Sequence, residues 1–116
     1  MKILVVDDDP MNLNLLSELL SRVGGHQTRE AVNGADALKI IETENEEFDM
    51  IITDMDMPVL NGLGLLEKIK GLTIIKWLVS GRMDNDLASD AMQAGATGAF
   101  MKTVLYEEFR KAGLIS

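Results

Sequence analysis

Cysteine is absent from the 116 residues, which excludes disulfides and any thiolate metal site and fits a reducing compartment. Long apolar runs are also absent. The longest fall far short of a bilayer span, so a soluble protein with no membrane contact is expected. Met1-Lys2 leads straight into an apolar segment, leaving no room for a signal peptide; with the missing cysteines this gives a cytoplasmic expectation. Positive charge is scarce: 11 Lys and Arg stand against 19 Asp and Glu, for a net charge of −8. The basic residues are scattered rather than clustered, which argues against direct binding of nucleic acid, whose phosphates need grouped cations. An acidic balance suits a cation site or a basic protein partner, although solubility alone accounts for it equally well. No linker, repeat or low-complexity stretch divides the chain, so residues 1–116 are read as one domain.

What is present is an unusual arrangement made twice. Ile3-Leu4-Val5-Val6 has the continuous apolar character of a strand buried on both faces, and it runs into Asp7-Asp8-Asp9-Pro10. Met50-Ile51-Ile52-Thr53 ends likewise, in Asp54-Met55-Asp56-Met57-Pro58. Carboxylates at a strand tip repel one another. A bound cation, raised pKa values or plain exposure to water must offset that repulsion.

Between these runs the pattern alternates. Pro10 suits a first helical turn with Asp9 as its cap, and Leu13, Leu16, Leu19, Leu20 and Val23 recur at helical spacing up to Gly24-Gly25. His26 to Ala31 is a weak, polar strand suited to a sheet edge, with His26 exposed at its entry. A helix over 34–44 carries Ala37, Leu38, Ile40 and Ile41, and Asn33-Gly34 before it is discounted as a hairpin turn because no strand follows. Phe48 to Thr53 is a strand and 60–72 a helix weakened by Gly62 and Gly64. Ile74 to Val79 is a strand ending in Ser80-Gly81, with Trp77 buried within it. A helix over 84–94 carries Leu87, Ala88, Ala91 and Met92; Ala99-Phe100-Met101 is a last strand before Lys102. The final helix, 104–112, places Leu105, Phe109 and Ala112 inside. Glu42, Glu44, Glu46 and Glu47 read as a solvated charge run, and the scattered methionines as packing rather than a soft-metal site.

Five strand–helix alternations demand a parallel sheet covered by helices on both faces. In such sheets ligands sit beyond the carboxyl ends of the strands, where strand order reverses. With the order 2-1-3-4-5, Asp7, Asp8 and Asp54 converge there, flanked by Ser80 and Lys102. That set suits Mg²⁺, a hard ion taking a few carboxylates and keeping several waters. A carboxylate beside Mg²⁺ and Lys⁺ can attack phosphorus as the cations screen the incoming anion.

Asp7-Asp8, then Asp54-Met55-Asp56-Met57-Pro58 with Asn61-Gly62, then Ser80-Gly81 and finally Lys102 resemble the receiver domain of two-component response regulators, over nearly the whole chain. The resemblance implies a flavodoxin-like, chemotaxis-receiver-like α/β fold. It also implies a phosphoacceptor switch rather than a turnover enzyme. Asp54 would accept the phosphoryl group. Asp8, Asp54 and the main-chain carbonyl of Asp56 would ligate Mg²⁺, and Asp7 would act largely through water. Ser80 would bond a phosphoryl oxygen, and Lys102 would pair with the group. The implied partners are a sensor histidine kinase or phosphotransfer protein (or a small phosphodonor), and a downstream protein or missing effector domain meeting residues 84–112.

Two positions depart from the family pattern: Thr103 stands where proline usually follows the lysine, and Ala99 where a switch aromatic is often found. Asp54-Met55-Asp56 also resembles the nucleophile and acid pair of haloacid dehalogenase-like phosphatases, but Met57 replaces their usual Thr or Val. A pseudo-receiver that binds partners without phosphorylation is the third reading, favoured by Ala99 and Thr103 and opposed by the complete acidic set. Asp56 and Arg82 flank the site and are read as tuning hydrolysis.

Overall fold

A computed structural model of the chain describes residues 1–44 and 47–116. Five strands form one parallel sheet: β1 (Lys2–Val6), β2 (Gln27–Ala31), β3 (Met50–Asp54), β4 (Ile75–Ser80) and β5 (Gly98–Met101), in the order β2-β1-β3-β4-β5. Five helices connect and follow them: α1 (Pro10–Glu18), α2 (Gly34–Thr43), α3 (Gly62–Lys68), α4 (Asn85–Gln93) and α5 (Leu105–Lys111). The expected α/β class and strand order are both present. The weak polar strand β2 lies at the edge, where only one side needs pairing.

The doubly apolar strands divide their side chains between two cores. Leu4, Val6, Ile51 and Leu78 point into the layer formed with α2, α3 and α4. Ile3, Val5, Ile52 and Val79 point into the layer beneath α1 and α5. Alternate residues of a strand face opposite sides, so a continuous apolar run is what two covered faces require. Trp77 is buried as expected, edge-on to Phe100 with ring centres 4.7 Å apart and stacked on Phe109 at 5.9 Å.

Side-chain caps start four helices where the backbone N–H groups need partners: Asp9 accepts from Met11 N, Asn33 from Asp36 N, Asn61 from Gly64 N and Asp84 from Leu87 N. Asn33-Gly34 is thus a helix start, not a hairpin. Helix α3 is shorter than the 60–72 expected. Asn61 fixes its first residue, and after Lys68 the chain tightens, with Leu72 N donating to Ile69 O at 2.9 Å. The Lys76 ammonium then closes this turn, donating to Leu72 O at 2.6 Å and Lys70 O at 3.4 Å.

Three apolar helix positions face outward, Ala112 among them against the inward expectation. Helix α1 ends in a π-helical turn, Leu19–Val23, whose wider winding rotates the helical phase. Val23 is turned outward, and Gly24 takes the inner position, where an added Cβ would lie 2.4 Å from Leu114 O. Met92 and Ala112 are also exposed, each at the margin of a helix whose buried stripe is narrow: only Ala91 in α4, and Leu105 and Phe109 in α5, are fully covered. His26 is half-buried rather than exposed. Its Nδ1 lies 3.0 Å from the Met1 amine and its Nε2 2.8 Å from Leu114 O. Glu42, Glu44 and Glu47 are exposed as expected, and Glu46 lies outside the described residues.

Candidate functional site

Strands β1 and β3 are neighbours in the sheet, with Val6 opposite Thr53, so their carboxyl ends bring Asp7 and Asp54 together. Oxygen atoms of Asp7, Asp8 and Asp54 all lie within 4.8 Å of one another. Asp7 and Asp54 are buried, 2% and 4% exposed, whereas Asp8 faces solvent.

Local structure fixes Asp7 firmly. Its Oδ1 accepts from Asp9 N at 2.9 Å and its Oδ2 from Asn12 Nδ2 at 3.3 Å. Asp9 turns away to cap α1, accepting from Met11 N at 3.0 Å beside Pro10. The opening acidic triplet therefore divides, two carboxylates to the site and one to the helix. Asn12 is a site residue that motif reading missed. Its position in the first turn after Pro10 was the available signal.

Lys102, at the end of β5, reaches across to Asp54 Oδ2 at 3.2 Å and Asp7 Oδ2 at 3.7 Å. Burial, reinforced by the charge on Asp7, pushes the Asp54 carboxyl above its ordinary pKa of 3.8 despite the neighbouring ammonium. Burial also works against the Lys102 charge, but Asp54, Asp7 and Asp8 together hold that ammonium above its usual 10.5. Asp54 is thus an ionisable group in a place short of positive charge.

The loop after β3 keeps Asp54 in position. Met55 N donates to Val79 O at 2.8 Å, and Gly62 N to Met55 O at 3.0 Å. Gly62 must lack a side chain, because a Cβ would come within 2.5 Å of Asp54 O and of Leu78 Cδ1. Asp56 N makes a long contact, 3.4 Å, to Asp54 Oδ1. Ser80, buried at the end of β4, is bonded to other groups than Asp54. Its hydroxyl donates to Asp56 Oδ2 at 3.4 Å and accepts from Arg82 N at 3.3 Å. The structure thus gathers Asp7, Asp8, Asp54 and Lys102 directly and joins Ser80 to them through Asp56.

The donor set is all oxygen, carboxylate-rich and close-spaced, which suits a hard cation and not a soft one. Among the described residues it is the one grouping of acidic or histidine ligands close enough to hold a metal ion.

A family model described as the response regulator receiver domain matches residues 3–113. The chain belongs to this family. The chemotaxis protein CheY of Pseudomonas aeruginosa is 34% identical over 96% of this chain and 94% of its own. The two-component response regulator ORR24 of indica rice is 33% identical over 95% of this chain but only 18% of its own length, so here the receiver spans under a fifth of a longer relative. Among solved structures, a response regulator from Burkholderia pseudomallei, crystallised with a phosphorylated aspartic acid, a calcium ion and citrate, superposes with a TM-score of 0.85. It is 26% identical, over 96% of this receiver and 65% of that chain. These likenesses favour the receiver reading over the phosphatase and pseudo-receiver alternatives.

Proposed function

We propose that this receiver is switched by phosphorylation of Asp54, with Asp8 and Asp54 as direct ligands of Mg²⁺ and the Asp56 carbonyl as a third. The observation that carries the reading is Asp54 itself: a buried carboxylate at a strand end, bracketed by two further carboxylates and touching one ammonium. Asp7 has its oxygens taken by Asp9 N, Asn12 and Lys102, which supports a role through water rather than direct ligation. Bound there, Mg²⁺ would supply positive charge to the incoming phosphoryl oxygens.

In the transfer, an Asp54 oxygen bonds to phosphorus while the donor's phosphorus–nitrogen bond breaks. The imidazole nitrogen keeps that electron pair, and the ring leaves neutral because its other nitrogen already carries the proton. Lys102 is placed to leave Asp7 and pair with the phosphoryl group. Ser80 must exchange its Asp56 contact for a phosphoryl oxygen. With Ala99 in place of an aromatic, and Phe100 packed under the opposite face against Trp77, that exchange does not turn on a ring at this position. The proposed donor is a histidine kinase or phosphotransfer protein in the cytoplasm, and the proposed output surface is residues 84–112.

Incubation with Mg²⁺ and acetyl phosphate, read by intact mass, tests this. One labile phosphoryl group is expected on the wild type and none on Asp54→Asn. A wild type left unmodified, beside a control receiver that is labelled, would overturn the reading.

A further inference from the structure

Helices α1 and α5 cover the same face of the sheet but stand apart, leaving a cleft of about 280 Å³ between them. Its walls are Leu15, Leu16 and Leu19 on one side and Leu105, Tyr106 and Phe109 on the other, over a floor of Val6, Ile52 and Val79. Its rim is open: Leu15 is 63% exposed and Tyr106 51%. Protein interiors are close-packed, so an apolar space of this size is a departure, and it approaches the roughly 300 Å³ at which small-molecule sites begin. Apart from the Tyr106 hydroxyl, its polar lining lies at the carboxyl ends of the strands: Asp7, Asn12, Asp54 and Lys102. There three carboxylates, counting the adjacent Asp8, face one ammonium.

We infer that this cleft binds a small amphiphilic cation, an aryl- or alkylammonium, with its apolar body between α1 and α5 and its charged head at Asp54, whose Oδ1 has only the long contact from Asp56 N. The apolar walls account for the body. The surplus of negative charge at the strand ends selects the head: an anion would meet two buried carboxylates, and a neutral group would leave uncompensated the charge that Lys102 alone does not balance. Such a ligand uses Asp54, as a divalent cation would, so the two exclude one another. The ligand site stands without the phosphoacceptor reading, whereas the competition rests on the metal half of it.

Trp77 reports on the cleft because it stacks on Phe109, one of its walls. Its fluorescence would be titrated with 2-phenylethylammonium, 2-phenylethanol and 3-phenylpropionate in metal-free buffer. Saturable binding is expected in that order, with the anion weaker than the cation by about tenfold or more. Leu15→Arg, a change at an exposed rim position that leaves the cores intact, is expected to weaken the ammonium and strengthen the carboxylate. No saturable change, equal affinity for all three probes, or a uniform loss in Leu15→Arg would overturn the inference. Mg²⁺ is expected to displace the ammonium but not the alcohol. An ammonium that binds undisturbed by Mg²⁺ would overturn the shared carboxylate end, whatever the outcome of phosphorylation.

Discussion

The two ends of the sheet each bury charge, and they treat it oppositely. At the amino end, Lys76 is only 3% exposed, yet its ammonium is met by the carbonyls of Leu72 and Lys70 that α3 and its closing turn leave over. At the carboxyl end, Asp7 and Asp54 are equally buried and share a single lysine. Backbone strain lies at the same end: Val59, a β-branched residue, sits at φ 71° in the loop between β3 and α3. One end uses charge to finish the fold. The other leaves its charge under-compensated, beside a strained backbone position.

The largest effect is expected from breaking the satisfied end. Lys76→Ala removes a buried stem and leaves two carbonyls without their donor, a loss of about 3 kcal/mol in urea unfolding. Lys76→Met keeps the stem and is expected to cost about half of that. Acidity separates the two ends next. Burial lowers the Lys76 pKa below 10.5, so the unfolded chain binds its proton more tightly, and stability rises with pH through the window ending at 10.5. Burial, aided by Asp7, raises Asp54 above 3.8, so its contribution is fully present below 3.8 and is lost as pH rises through its folded value. Unfolding midpoints of wild type, Asp54→Asn and Lys76→Met across pH would show each slope vanish with its own residue. The smallest effect is expected at Val59, where Val59→Asn, a residue that tolerates positive φ, should stabilise the chain by about 1 kcal/mol.

Much of the site end was legible in the sequence because strand-end carboxylates are rare and their spacing is fixed by strand and helix lengths. Two buried strands terminating in aspartate, with Ser80 and Lys102 closing two others, define the cleft once the sheet is known to be parallel. Helix starts were legible for a similar reason, since Asp9-Pro10 is a local signal that needs no tertiary context. The satisfied end was not. Lys76 looks like an interruption in an apolar run, and only the fold shows that its long stem packs while its head finds free carbonyls. Nor does periodicity reveal the π-helical turn that sends Val23 outward, because the extra residue in that turn leaves no mark in composition. His26 was missed because its partner, Leu114, is set by how distant elements meet, whereas Asn12, five residues from Asp7, was within reach of a local reading.

The contrast between the ends is tested most directly by the unfolding midpoint of wild type and Asp54→Asn at neutral pH, each with and without Mg²⁺. Asp54→Asn is expected to be the more stable without metal, and Mg²⁺ to raise the wild type well above its own baseline while moving the variant little. An Asp54→Asn protein less stable than the wild type without metal, or an equal rise in both on adding Mg²⁺, would contradict an under-compensated carboxyl end that takes a cation.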